Sequence, residues 1–356
     1  MKRTELNLDE RYMLRCLQLA LGGRGATSPN PMVGAVIVHE GRIIGEGFHR
    51  KYGEAHAEVN AIASVRQPEL LPLSTIYVSL EPCAHFGKTP PCADLIVEKR
   101  LRRAVIGCGD PFSRVNGLGI RRLEDAGLEV KVGVLESECQ WLNRKFFTFH
   151  QLHRPYITLK WAQSRDGFIA ALEDGSPTRT ALSSPVTQAL SHQLRAETDA
   201  ILVGRRTAEI DNPSLTTRLW AGRNPLRLVI DPKGSLPGDL HLFDGTAPTR
   251  AYVLPQAKPA YEGKGAAVVR LREGEPMLQG ILSDLAAEGV ESLLVEGGSQ
   301  TLQAFIDSGF WDEIRAEKTK RMLVRGLKAP RLPASNPQKI VEADGSLIET
   351  YTRRQV

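Results

Sequence analysis

The sequence predicts two α/β domains in tandem, and three observations carry that prediction. The chain has 356 residues, where roughly 100–200 suffice for one domain. Both halves alternate short apolar runs with amphipathic helical stretches, the pattern of helices layered on a sheet. Between the halves the pattern breaks, because His150-Gln-Leu-His-Arg-Pro155 is polar and ends in proline. The boundary is expected there, giving domains at 1–149 and 150–356. A hydrophobic fraction of 42 % beside 24 % charged residues excludes collagenous, disordered and disulfide-scaffold chains.

In the first half, Asn7 opens a helix running to about Leu21, with Glu10 as its capping-box partner and Gly22-Gly23 as the stop. Val33–Val38 reads as a buried strand turning at Glu40-Gly41 into Arg42–Gly45. Ala55–Val65 is helical, with Val59, Ile62 and Ala63 on one face. A strand at Thr75–Ser79, a helix at Pro91–Arg100 and a strand at Arg103–Gly107 follow. Then come a helix at Leu118–Ala126, a strand at Leu128–Val132 and a helix at Glu136–Phe147. The second half places strands near Ile157–Trp161, Ala200–Val203, Leu226–Ile230, Arg250–Val253, Ala267–Leu271 and Leu293–Val295. Its helices fall near Pro185–Glu197, Met277–Glu288 and Gln300–Ser308. The last ~35 residues carry little apolar pattern beyond Met322–Val324 and are expected to wrap around the domain rather than extend its core.

Charge and composition narrow the partners. The net charge of +5 is spread thinly, and no Lys/Arg run or aromatic-interleaved basic patch marks a nucleic-acid surface. The longest apolar runs are far too short for a membrane span. The opening Met-Lys-Arg-Thr-Glu-Leu-Asn-Leu has no apolar core behind its basic start, so a secretory signal is not expected and the cytoplasm is the expected location. Five scattered cysteines, at 16, 83, 92, 108 and 139, suit reduced thiols.

One constellation in the first half suggests chemistry. His56-Ala57-Glu58 lies near a helix start, and Glu81-Pro82-Cys83 is followed after eight intervening residues by Cys92 at the next helix start. One imidazole and two thiols suit tetrahedral zinc with a fourth position open to water. The positive end of a helix dipole favours the thiolate that binds metal. Glu58 is placed to reach the water without being a ligand and to ferry its proton to a leaving group. Nucleobase deaminases show H-x-E followed by P-C-x-x-C; here the short cysteine spacing is replaced by a long one. The alternative is a structural zinc with a fourth protein ligand, for which His85 and His49 are the nearest candidates.

The resemblance is specific at this point. Thr27-Ser-Pro-Asn30-Pro-Met-Val-Gly-Ala35, Gly53-Glu-Ala-His56-Ala-Glu58 and Glu81-Pro-Cys83-Ala-His-Phe-Gly-Lys-Thr-Pro-Pro-Cys92 resemble the deaminase half of the bifunctional riboflavin-biosynthesis deaminase/reductases. The long loop between the cysteines separates that family from cytidine, guanine and tRNA-adenosine deaminases. The resemblance implies a cytidine-deaminase-like three-layer α/β/α domain. It implies hydrolytic deamination of a 2,5-diamino-6-ribosylamino-pyrimidinone 5′-phosphate, a small phosphorylated pyrimidine. By matched positions, His56, Cys83 and Cys92 would bind one zinc per chain and Glu58 would be the proton shuttle. Asn30 would orient the base, with His49 and Lys88 as further substrate contacts and Lys88 meeting the phosphate. Taken alone, Asn30 between two prolines reads as a turn former and His49 as a satisfied surface histidine.

In the second half no G-x-G-x-x-G follows a strand, so a Rossmann dinucleotide site is not supported. Leu293-Leu-Val-Glu296-Gly297-Gly298-Ser-Gln-Thr301 is a strand, a glycine pair and a helix start, which suits either a tight turn or a phosphate. Arg195 and Arg218 flank the strand ending at Gly204 and suit either surface ion pairs or a phosphorylated ligand. These segments, with Lys160-Trp-Ala-Gln-Ser164-Arg-Asp166-Gly167 and Arg227-Leu-Val-Ile-Asp231, resemble the reductase half of the same family, a dihydrofolate-reductase-like α/β domain using NADPH. The implied step is hydride transfer to C1 of the ribosyl group, opening it to a ribityl chain. Ala162, Thr207, Asp211 and the helix start Gly298, Ser299, Gln300, Thr301, Leu302, Gln303 and Ala304 would line NADP. Arg195, Leu215, Arg218 and Glu296 would face the substrate. Two segments depart from the family pattern: Arg179-Thr-Ala181-Leu-Ser-Ser-Pro185 lacks a usual Ser and Trp, and Arg315-Ala-Glu-Lys-Thr-Lys-Arg-Met-Leu-Val324 lacks the usual Pro and Gly. The family's reductase domains commonly pair, so a homo-oligomer is expected. The rival reading is an RNA- or nucleobase-editing zinc deaminase with an accessory domain, which the charge pattern and cysteine spacing oppose.

Overall fold

The computed structural model describes residues 6–84, 91–112 and 116–353. The chain divides into two compact units, Met1–His153 and Arg154–Val356.

In the first unit, α1 (Leu8–Ala20) starts on the expected capping box: Asn7 accepts from the Glu10 amide, and Glu10 accepts from the Asn7 amide. The strands β1 (Gly34–His39), β2 (Arg42–Phe48), β3 (Thr75–Val78), β4 (Arg103–Ile106) and β5 (Glu129–Val132) form one sheet in the order β2-β1-β3-β4-β5. β1 runs antiparallel to β2 and β3, while β3, β4 and β5 are parallel. Alternation along the strands divides the core in two. Ala35, Ile37, Ile76, Val78, Ala104 and Ile106 face α2 (Ala57–Ala63), α3 (Cys92–Glu98) and α4 (Leu118–Asp125). Val36, Val38, Tyr77 and Val105 face α1, α5 (Glu136–Leu142) and α6 (Arg144–Leu152). The unit is therefore a three-layer α/β/α sandwich, as expected.

Two local features position its site. Gly47 lets α2 lie directly on β2, since a Cβ there would stand 2.3 Å from the Ala61 amide nitrogen. Asn143 divides the helix expected over Glu136–Phe147 into α5 and α6, because its side chain accepts from the Met32 amide at 2.8 Å and donates to the Met32 carbonyl at 2.9 Å. Helix α6 also runs through the expected boundary between 149 and 150. The Phe146 and His150 rings, one turn apart, pack 4.4 Å from each other, and the helix stops only at His153, with a left-handed φ of 52°.

In the second unit the elements are β6 (Tyr156–Gln163), β7 (Phe168–Glu173), β8 (Ser176–Thr178), α7 (Pro185–Ala196), β9 (Ala200–Gly204) and α8 (Arg205–Asp211). They continue with β10 (Leu226–Ile230), β11 (Thr249–Val253), β12 (Ala267–Arg270), α9 (Met277–Ala287), β13 (Ser292–Val295) and α10 (Ser299–Asp307). The last strands are β14 (Glu313–Lys318), β15 (Gly326–Lys328), β16 (Lys339–Ala343) and β17 (Ser346–Thr352). The main sheet has the order β12-β11-β10-β9-β13-β6-β14-β17-β16, parallel from β12 to β14 and antiparallel beyond. Helices α9 and α10 cover one face, through Ile281, Leu285, Leu302 and Phe305. Leu194 of α7, Ala208 of α8, the loop residues Leu236 and Tyr261, and Leu242 of the 3-10 turn His241–Phe243 cover the other.

The expectation for the C-terminal ~35 residues is corrected. Instead of wrapping around the unit, they add β16 and β17 to the main sheet, β17 pairing with β14 from Glu313↔Thr352 to Lys318↔Leu347. Tyr351 enters the core while most of β16 is exposed. An edge hairpin with one solvated face has no continuous apolar run, which is why its sequence resembles loop. The half-buried strands β7 and β8, in a small sheet with β15, are invisible to periodicity for the same reason.

One ion cluster ties α1 to the first sheet. Asp9 accepts from both terminal nitrogens of Arg103 at 3.0 Å, from Lys131 at 2.7 Å and from the Tyr77 hydroxyl at 2.8 Å. The Arg103 hydrogen bonds, against the opposing effect of burial, hold the Asp9 carboxyl well below the usual carboxylate range. A carboxyl lowered on folding stabilises above its unfolded pKa of about 3.9 and loses that contribution as pH falls further. Asp9→Asn should therefore cost about 1.5–3 kcal/mol at neutral pH, with a smaller difference from wild type at pH ~3. Hydrogen exchange of the β4 amides, which reports this unit alone, measures it.

Candidate active sites

The first site forms where two helices begin beside the end of β3. His56 is the extended N-cap residue of α2, and Glu58 lies in the first turn of that helix. Cys92 opens α3, its amide donating to the Cys83 sulfur at 3.4 Å, while the Ala93 amide donates to the Cys83 carbonyl at 3.1 Å. His56 Nδ1 stands 3.6 Å from Cys83 Sγ and 3.4 Å from Cys92 Sγ. Tetrahedral zinc with bonds of about 2.0–2.3 Å separates its ligand atoms by about 3.5 Å, so the donor set fits that ion in both chemistry and span. Hydrogen bonds from Cys92, and a further one from His56, lower the Cys83 thiol pKa.

Among the described residues no fourth His, Cys, Asp or Glu joins this cluster. His49, a candidate fourth ligand, has both ring nitrogens engaged: Nδ1 meets the Ala55 carbonyl at 3.1 Å and Nε2 meets Asn30 Nδ2 at 3.2 Å. The other candidate, His85, and the expected phosphate contact, Lys88, lie outside the described residues. The Ala55 carbonyl fixes the proton on Nδ1, leaving Nε2 to accept from the Asn30 amide. His49 is only 2 % exposed and sits behind Asn30, so it orients that side chain rather than presenting itself to solvent. The His49 and His56 rings meet edge to face, 5.3 Å apart. Glu58 is buried beside the cluster, and burial pushes its carboxyl up to about 7.

Glu81 has a role that sequence reading missed. Its buried carboxylate accepts from the amides of Asp110, Gly117, Gly119 and Ile120 at 2.9–3.3 Å. It thus ties the start of α4 to the backbone two residues before Cys83. The Glu-Pro-Cys motif marks the position, but only the fold reveals that four amides converge on it.

The second site is a cavity of about 910 Å³ in the second unit. Ala162, Thr207, Asp211, Gly298, Ser299, Gln300, Thr301 and Leu302 all line it, as do Arg195, Leu215, Arg218 and Glu296. Gln303 and Ala304 do not reach it: the Gln303 side chain accepts from the Arg331 amide and donates to Asp307, and Ala304 is exposed. Gly298 turns the chain from β13 into α10 at a φ of 71°, which a side chain would strain. Arg195 forms a two-point ion pair with Glu296, at 3.0 Å and 2.6 Å, and also donates to the Thr216 carbonyl. Arg218 donates to Thr216 Oγ1 at 2.7 Å. Burial raises the Asp211 carboxyl, opposed by Arg179.

Lys160 and His192 also line the cavity and were absent from the expected contacts. His192 stands three residues before Arg195 on α7, so helical spacing alone puts the two on one face. The two segments that depart from the family pattern touch each other at this cavity's margin. The Ser183 hydroxyl donates to Glu317 Oε2 at 2.7 Å, and Arg321 donates to the Ala181 carbonyl at 2.7 Å.

Comparison with known proteins agrees with this architecture. Residues 6–108 match the cytidine and deoxycytidylate deaminase zinc-binding region, and residues 155–317 match the RibD C-terminal domain. The chain is 40 % identical over 324 residues to the riboflavin biosynthesis protein RibD of Aquifex aeolicus strain VF5, covering 90 % of this chain and 89 % of that protein. The chain belongs to the RibD family. The RibD of Escherichia coli K12 is 34 % identical over 321 residues, 86 % of either chain. A crystal structure of a diaminohydroxyphosphoribosylaminopyrimidine deaminase/5-amino-6-(5-phosphoribosylamino)uracil reductase from Thermotoga maritima superposes with a TM-score of 0.83 at 35 % identity, covering 96 % of this chain and 98 % of that one. Acinetobacter baumannii RibD gives a TM-score of 0.87 at 28 % identity, covering 99 % and 100 %. As a member of that family, the chain is a bifunctional riboflavin-biosynthesis enzyme with a zinc-binding deaminase domain and a reductase domain. The editing-deaminase alternative gives way to that family membership.

The donor geometry predicts one zinc ion per chain in carefully prepared protein, falling to a small fraction of that in Cys92→Ser, which removes one of three ligands. Metal analysis by mass spectrometry checks both values.

Proposed function

We propose that His56, Cys83 and Cys92 hold the zinc of a hydrolytic deaminase and that Glu58 moves its protons. Zinc in such a site supplies a water made nucleophilic near neutral pH. The reaction exchanges a ring carbon–nitrogen bond for a carbon–oxygen bond and releases ammonia. Glu58, buried beside the donor cluster, accepts the proton that the attacking water loses and delivers it to the departing amine. Asn30, held by His49, offers its remaining amide oxygen to orient the pyrimidine. The acceptor is the ribosylated diaminopyrimidine 5′-phosphate that the family resemblance implies, and Lys88 meets its phosphate. The observation that carries this reading is the three-donor cluster, open among the described residues, with a non-ligand carboxylate buried against it.

The second cavity takes the deaminated product together with NADPH, which supplies the hydride that opens the ribosyl ring to a ribityl chain. Ala162, Thr207, Asp211 and the first turn of α10 hold the cofactor, the Gly298 turn presenting backbone amides to its phosphates. Arg218 meets the anionic end of the substrate. The Arg195–Glu296 pair fixes a carboxylate in the wall, where it can accept from the hydroxyls of the ribosyl group. Leu215 closes the apolar side beside them.

Glu58→Gln should lower ammonia release by at least ~100-fold while leaving reduction of supplied deaminated substrate unchanged. Loss of both activities in a folded variant would refute two independent sites. Arg218→Ala should raise the KM for the phosphorylated substrate about ten-fold while changing that for NADPH little. Steady-state kinetics with each ligand varied decides between the substrate and the cofactor as its partner.

A further inference from the structure

His192 carries an unassigned role in the second cavity. It lies on α7 and is 6 % exposed, with its ring in the cavity wall. Its Nδ1 faces two backbone donors, the Arg218 amide at 2.8 Å and the Leu219 amide at 3.3 Å. An atom that accepts from two amides carries no proton, so the proton of the neutral ring sits on Nε2. No protein acceptor meets Nε2 among the described residues, and it is not a sealed, unpartnered atom. The free N–H is therefore not sealed from solvent, and it belongs to a residue that lines the cavity.

The surroundings select the partner of that N–H. Lys160, Arg195, Arg218 and Glu296 all act on the ring electrostatically, and burial with the neighbouring cations lowers its pKa to about 4. Glu296 is matched by Arg195, and Arg195 is further committed to the Thr216 carbonyl. Arg218 commits one terminal nitrogen to Thr216 Oγ1 and keeps its remaining donors. Two uncompensated cations beside a neutral donor suit a small anion.

We propose that His192, through Nε2–H, binds the phosphate of the reductase substrate together with Arg218, while its Nδ1 holds the Arg218 backbone in place. This rests on the reading of the cavity as the reductase site. His192 is thereby a substrate-binding residue that also positions its neighbour.

The two functions separate by substitution. His192→Asn keeps an acceptor at the Nδ1 position and loses Nε2–H, whereas His192→Gln carries an amide donor to the Nε2 position. KM values for the phosphorylated substrate and its dephosphorylated form, with kcat, are measured beside NADP+ affinity by titration. His192→Asn should raise the KM for the phosphorylated substrate about ten-fold or more, with less change in kcat and unchanged NADP+ affinity. That difference should vanish for the dephosphorylated substrate, and His192→Gln should lie closer to wild type. A wild-type KM in His192→Asn, an equal loss on the dephosphorylated substrate, or a larger loss in the Gln variant than in the Asn variant would overturn the proposal. Failure of the wild-type enzyme to reduce either substrate would instead overturn the reading of the cavity.

Discussion

One imidazole nitrogen held 3.4–3.6 Å from two thiol sulfurs, all three within 4.8 Å of one another, is the constraint around which the first unit is organised. A zinc ion tolerates little error in ligand span, so the backbone carrying each donor must be fixed independently. Gly47 lets α2 press against β2, which sets the height of His56. The Cys83 carbonyl and sulfur both receive amides from the start of α3, which sets Cys92 against Cys83. Glu81 then gathers four amides and fixes the chain entering Cys83. No single interaction holds the site; each donor stands on a different element that the sheet brings to one end.

The second unit solves a different problem, recognition of a large charged ligand pair in an open cavity. Two of its arginines are engaged before any ligand arrives. Arg195 is locked to Glu296, and Arg218 leans on Thr216. Such prior commitment lowers the entropy lost on binding, because the side chains have little freedom left to surrender. The wall is assembled from the ends of β6, β9 and β10, from the segment that follows β13 and from three helices, so it draws on many elements rather than on one loop.

Much of this was legible in the sequence. His56, Glu58, Cys83 and Cys92 are recognisable because metal chemistry demands particular residue types at particular offsets. The strands with two buried faces were equally clear, Ala200–Gly204 among them, because unbroken apolar runs have few alternatives. What escaped was one-sided or long-range. β16 and β17 expose one face and so look like loop. Asn143 interrupts a helix only because Met32, 111 residues away in sequence, offers it a matching amide and carbonyl. In the sequence His49 reads as a possible fourth ligand, a substrate contact by resemblance or a satisfied surface residue, and only its two engaged nitrogens reveal a support for Asn30.

The contact between Ser183 and Glu317 joins two stretches that each depart from the family's usual pattern. Glu317 is 2 % exposed, and its other oxygen meets no partner. The serine hydroxyl is thus its one hydrogen-bonding neighbour among the described residues, and an unpartnered carboxylate is costly to hide from water. The loop and the strand work as a lock and its key. Losing that one hydroxyl would leave the whole carboxylate dry and unsatisfied, so the acid on the strand can stay only where the loop keeps its serine.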